Sequence, residues 1–241
     1  MPLVAAAVCP HPPLLVPEVA GAAASELDDL RSACDLAVGR LLATGPDVVV
    51  LLGVGPVTGP VRPPATGSLQ PWGVDLDVPL VPGQPDRGAV LPLSLTIGAW
   101  LLSRHVPLPA ASKQQAVQVT ADAGPVEVAA LAAEIAAAGD RVALLVLGDG
   151  SACRGQQAPG YDDQRALPYD EGVATALAEA DLDALRDLDP GVSAQLKVAG
   201  RAAWQVLADA AGASGGGWRG ELLHESAPYG VAYFVASWER M

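Results

Sequence analysis

Three uninterrupted apolar runs of strand length constrain this chain more than any other feature: Leu3–Cys9, Val48–Leu52 and the run that follows Arg141 to Leu147. A strand with one wet face alternates apolar and polar residues. A continuous apolar, β-branched run has no polar face to show and needs cover on both sides. Between the first two runs, residues 22–44 place Leu27, Leu30, Cys34, Ala37, Val38, Leu41 and Leu42 at helical spacing. Ser25 suits the N-cap and Asp28 and Asp29 the first turn, and Gly45-Pro46 stops the helix. Strand, helix and strand in this order make a βαβ unit with a right-handed crossover. The expected fold is α/β with three layers: a mostly parallel or mixed central sheet and helices on both faces, in a single domain over residues 1–241.

The rest of the chain fills in this plan. Residues 56–88 are rich in Pro and Gly and read as a long excursion with a short strand around Trp72–Val78. A helix is expected over 89–104, closed by His105 in a structural role at its C-terminal end. Val117–Thr120 reads as a strand or edge, and 126–138 as a helix ended by Gly139. Residues 169–187 read as helical. Asp189 is an N-cap before Pro190, opening a helix that runs to Ala211. Gly212–Gly217 links to two short strands, Trp218–His224 and Tyr229–Trp238, joined by Glu225-Ser226-Ala227-Pro228.

Charge narrows the partners. The net charge is −13, with 27 acids against 14 bases, which argues against nucleic acid and anionic membranes. No apolar stretch reaches the ~20 residues of a membrane span. The first run is broken by Pro10, Pro12 and Pro13 and lacks a basic leader, so no signal peptide is expected and the location reads as cytoplasmic. The cysteines, Cys9, Cys34 and Cys153, form no paired spacing; Cys9 and Cys34 read as core residues.

Two loops carry the chemistry. Pro10-His11-Pro12-Pro13 ends the first strand, because proline cannot continue a ladder, and puts His11 at the mouth of the sheet, where α/β folds hold their sites. Gly148-Asp149-Gly150-Ser151 ends another strand at the same edge, offering backbone N–H groups, a carboxylate and a hydroxyl. Gly53-Val54-Gly55-Pro56 permits close approach of a ligand to backbone but fails as a dinucleotide fingerprint. The chain has three histidines, His11, His105 and His224. His11 and Glu225 are the candidate metal ligands. A two-His, one-carboxylate iron site would need His105 or His224 as its third ligand; strand neighbours His224 and Glu225 point to opposite faces unless an irregular Glu225–Pro228 turn relaxes that restriction. A Ser-His-Asp arrangement of Ser151 and His11, or hydrolysis through His11 and Asp149, is the metal-free alternative. Most other acids fall on polar helix faces and read as solvated.

Cys9-Pro10-His11-Pro12-Pro13-Leu14-Leu15 resembles the first-strand motif of the class III extradiol dioxygenases, in their catalytic B-subunit superfamily. Asp47–Leu52 resembles that family's second strand, Trp72-Gly73-Val74-Asp75 an aromatic-Asp element of its long loop, and Gly200-Arg201 its late Gly-Arg helix. Gly148-Asp149-Gly150-Ser151 sits where the family has a Gly-x-x-Ser-His turn, and Glu225–Trp238 resembles its C-terminal carboxylate and strand. The match covers most of the chain in order and is similar in kind to a small actinobacterial, B-subunit-like branch. The resemblance implies the three-layer fold, a homodimer, a small-molecule ligand, Fe(II) or another divalent metal on His11 and Glu225, and a substrate held by Asp149 and Ser151. The chain departs from the pattern at two places. The family's metal-ligating His at the end of the second strand is replaced by Gly53-Val54-Gly55-Pro56, and its catalytic His after the Gly-x-x-Ser turn by Ala152. The expectation is a divergent small-molecule-binding protein with an incomplete Fe(II) site, the alternative being an aromatic ring-cleavage oxidoreductase.

Overall fold

A computed structural model describes residues 3–83, 88–105 and 113–241. In chain order the elements are β1 (Leu3–Cys9), α1 (Pro17–Ala20), α2 (Asp28–Ala43), β2 (Val48–Val54), β3 (Gly59–Val61), β4 (Ala65–Ser68), β5 (Asp77–Pro79), β6 (Ala89–Val90), α3 (Leu93–Ser103), β7 (Lys113–Val119), α4 (Pro125–Ala136), β8 (Val142–Leu147), α5 (Ala166–Glu179), α6 (Leu182–Arg186), α7 (Pro190–Gln195), α8 (Arg201–Ala213), β9 (Trp218–Ser226) and β10 (Tyr233–Arg240).

The main sheet has seven strands in the order β3-β7-β2-β8-β1-β10-β9. Strands β7, β2, β8 and β1 are parallel, while β3 and the β10-β9 hairpin close the two edges antiparallel. The apolar runs behave as their composition requires. On β2, Val48, Val50 and Leu52 pack on one face with Leu131 of α4, Leu177 of α5 and Trp204 of α8. Val49 and Leu51 pack on the other with Cys34 and Val38 of α2 and Leu95 and Leu101 of α3. The architecture is therefore a three-layer α/β fold with a mixed sheet covered on both faces. A second sheet, β5-β4-β6, takes β4 and β5 from the 56–88 excursion, of which residues 84–87 lie outside the described residues, and β6 from Ala89–Val90, so the helix expected over 89–104 begins only at Leu93. Among the described residues, no helix is long and apolar enough to cross a membrane.

Several boundaries differ from the sequence reading, each for a local reason. The first long helix starts at Asp28, because residues 21–27 wind as a 3₁₀ segment after Gly21 at φ 56°; Ser25 caps nothing. The helix expected over 169–187 breaks at Ala180, which takes a left-handed φ of 53°; Asp181 then caps α6 by accepting from the N–H groups of Asp183 and Ala184. The helix expected from Asp189 to Ala211 likewise breaks at Lys197, φ 56°. Asp189 does cap α7, accepting from Val192 N at 2.7 Å. In the excursion, the strand expected around Trp72–Val78 is a 3₁₀ turn followed by β5. Its register is set by β4, with Gly67 facing Val78.

Candidate functional site

The carboxyl ends of β1 and β8 lie side by side, Cys9 in register with Leu147. The two loops that leave them are tied together at once, Gly148 N donating to Cys9 O at 3.0 Å. This brings His11 and Asp149 together, as their shared sheet edge predicts. The Asp149 carboxylate accepts from the backbone N–H of His11 at 2.8 Å, and its Oδ1 lies 3.5 Å from His11 Nδ1. Nδ1 is buried and has no hydrogen-bond partner, yet the His11 side chain keeps 10% of its exposure. The accessible part of the side chain therefore lies outside Nδ1. Burial pushes the Asp149 carboxyl above the ordinary carboxylate range, opposed by the neighbouring His11. Tyr233, the first residue of β10, is also pushed up, first by burial and then by the Asp149 charge.

The loop carrying Asp149 is clamped by backbone on both sides. Gly200 N donates to Asp149 O, Gly150 N to Ala232 O and Ala232 N to Ser151 O, each at 2.8 Å. Rigid backbone at the edge of a sheet is what positions a side chain to within a fraction of an ångström.

Ser151 does not join His11. It is fully buried, its hydroxyl donates to Asp170 Oδ2 at 2.6 Å and its backbone N–H to Asp170 Oδ1 at 2.9 Å. Arg154 Nη1 donates to the same carboxylate at 3.3 Å. Asp170 sits on the inward face of α5 with no exposure, an exception to the expectation that most helix acids are solvated. Its carboxyl is raised by burial against the pull of the Ser151 and Arg154 donors. Ser151 is therefore engaged in holding the loop, and the Ser-His-Asp alternative lacks its nucleophile. Asp170, Arg154 and Tyr233 were missed from sequence. The available signal was Asp170 lying three residues before Val173 and seven before Leu177, on the apolar stripe of its helix.

Glu225 lies elsewhere. On the edge strand β9 it is exposed, facing Phe234 in register, and it lines a groove with Glu171 and Thr175 of α5. His224, its strand neighbour, turns to the opposite face, where the Asp29 charge reaches it; its Nε2 is 2.9 Å from Ser226 Oγ and burial lowers its pKa. His105 follows α3, its Nε2 3.6 Å from Asp35 Oδ1; Arg104 grips that same carboxylate with two hydrogen bonds, at 2.8 and 2.7 Å. The histidines are thus in separate places, and among the described residues no group of three His, Cys, Asp or Glu side chains is placed to hold a metal ion. The donor set does not fit the Fe(II) that the resemblance implies.

The Gly53–Pro56 loop is likewise filled. A Cβ on Gly53 would run into Ser94, whose hydroxyl donates to Val54 O at 2.7 Å, and a Cβ on Gly55 would run into Gln118. The glycines admit neighbouring side chains of the protein, where the sequence reading allowed for a ligand. Beyond the clamped loop, grooves of about 430 and 380 Å³ flank Arg154, the first against Tyr229 and the second against Asp162 and Leu167.

One titration isolates Asp149. In the interval between its unfolded value of about 3.9 and its raised folded value, the folded protein holds more protons than the unfolded chain. Stability attributable to Asp149 therefore falls as pH rises through that interval. Asp149→Asn lacks this slope. Urea denaturation of both proteins from acid to neutral pH is expected to show the wild type losing ground to the variant as pH rises. Parallel curves would refute a raised carboxyl.

No protein-family model and no curated protein matches the chain. Among solved structures, the crystal structure of an uncharacterized Escherichia coli protein, JW3007, is similar over 98% of this chain and 99% of that one, with a TM-score of 0.57 and 14% identity. At that identity the likeness carries the three-layer fold of the whole chain.

Proposed function

We propose that this chain is a divergent relative of the class III extradiol dioxygenases that binds a small molecule at the carboxyl edge of its sheet and performs no iron-dependent ring cleavage. The observation that carries this reading is the His11–Asp149 pair. The carboxylate accepts from the backbone N–H of His11 and lies beside its Nδ1, which fixes the imidazole at the sheet edge as the group assigned to ligand contact. With Glu225 on the outer edge strand, His11 has no carboxylate from β9 to share a metal with. Ser151 and Asp170 support the loop from behind, and Tyr233 lies close enough to Asp149 to feel its charge.

Two measurements test the reading. After anaerobic Fe(II) loading, iron content is expected to be well below one per chain and the same in His11→Ala, with no oxygen uptake on catechol-type compounds. Near-stoichiometric iron that is lost in His11→Ala would establish the oxidoreductase alternative instead. In a thermal-shift screen of small hydroxylated and aromatic compounds, ligands of this site are expected to stabilise the wild type and leave His11→Ala unmoved. A screen in which every stabilising compound acts equally on both proteins would sink the binding reading.

A further inference from the structure

At the opposite end of the sheet lies a groove of about 590 Å³, within the range of small-molecule sites. It arises from how β3 ends. That strand covers β7 only from Gln118 to Ala116, because the chain turns off at Arg62-Pro63 after Val61. The first residues of β7, Lys113 to Gln115, keep β2 on one side and the groove on the other. Val61, Val81 and Ala116 supply apolar lining, Gln115 an amide, and Arg62 and Lys113 positive charge. Lys113 aligns through Val48 with Val142, at the amino ends of the parallel strands, whereas His11 follows the carboxyl end of β1. The groove is separate from the site described above.

The state of the two cations is informative. Among the described residues, the other Lys and Arg side chains donate to carboxylates, an amide or carbonyl oxygens. Among the described residues Arg62 and Lys113 have no such side-chain partner, although the chain carries a net charge of −13 and acids are plentiful. Both line this one groove. Both are solvent-exposed, and two cations free of protein carboxylates beside apolar surface, set in a negative protein, suit a ligand that brings its own negative head and an apolar body. We propose that this groove binds a small organic anion of that kind, a carboxylate on a hydrocarbon or aromatic body, with the head between Arg62 and Lys113 and the body on Val61, Val81 and Ala116.

The probe is 8-anilinonaphthalene-1-sulfonate, an anionic head on an aromatic body that fluoresces on binding, titrated into full-length protein whose near-ultraviolet circular dichroism is native. Its uncharged analogue N-phenyl-1-naphthylamine is titrated in parallel. Saturable binding of the sulfonate is expected, displaced by octanoate, with the uncharged analogue weaker by about tenfold, the scale of one charge-assisted hydrogen bond. Arg62→Ala/Lys113→Ala should weaken the sulfonate by at least that factor, Arg62→Lys/Lys113→Arg should largely restore it, and His11→Ala should leave it unchanged. Equal binding of the charged and uncharged probes, or an alanine double variant that binds like the wild type, overturns the proposal. Displacement by inorganic phosphate and not by octanoate overturns the apolar half and leaves a bare-anion site. Because His11→Ala separates the two ends of the sheet, failure here is distinguishable from failure of the proposed function.

Discussion

Asp170→Ala is expected to destabilise the protein by about 2–4 kcal/mol, because it strands two buried donors of Ser151 at a typical cost of 1–3 kcal/mol each. The backbone N–H and hydroxyl of Ser151 both end on this carboxylate, in a place with no exposure. Arg154, a quarter exposed, loses its partner as well, but water recovers part of that loss. Against a total stability of roughly 5–15 kcal/mol for a domain, the loss should be plain in urea as a lower midpoint at unchanged slope. Asp170→Asn keeps an acceptor for the Ser151 N–H and should lose less. A midpoint unchanged in Asp170→Ala would mean that the loop at 148–151 is held by its backbone clamps alone.

Gly148→Ala is expected to cost about 1–3 kcal/mol through overpacking. A Cβ at this position would sit 2.6 Å from the Cα of Gly200 and 3.0 Å from Trp204 Nε1. The first obstacle is backbone, so no side-chain rotation relieves it. The neighbouring bond from Gly200 N to Asp149 O would have to yield, and with it the placement of the carboxylate on His11. The matched control is Gly172→Ala on the exposed face of α5, where a Cβ meets nothing within 4 Å. That change should stabilise the protein by about 0.5–1 kcal/mol, the helical advantage of Ala over Gly. If both substitutions move stability in the same direction, the close approach of the two glycine loops is wrong.

Much of the architecture was legible in the chain itself. Runs such as Val48–Leu52 have no polar residue to turn toward water, so they demand a layer on each side, and the helical stripe at Leu30, Cys34 and Val38 supplies one of them. The proline brake after Cys9 and the turn after Leu147 put His11 and Asp149 at the same edge, because parallel neighbouring strands end together. Those are consequences of local sequence pattern, with one rule of sheet topology added. Where the left-handed breaks at Ala180 and Lys197 fall was not legible, since neither residue favours that conformation on its own.

What only the tertiary structure decided is which polar groups meet. Whether Ser151 turned toward His11 or toward Asp170 depends on α5 arriving behind the loop, 19 residues later in the chain. Whether Glu225 joined His11 depends on the phase of an edge strand two strands away, where a shift of one residue exchanges the faces. The bulge in β9 between the partners of Val235 and Ala236 sets that phase. Whether Arg62 and Lys113 found acids depends on where β3 leaves β7. Burial of apolar residues is a sum over local pattern and can be read along the chain. A hydrogen bond or an ion pair needs two particular atoms within about 3 Å, and that distance is set by the packing of elements far apart in sequence.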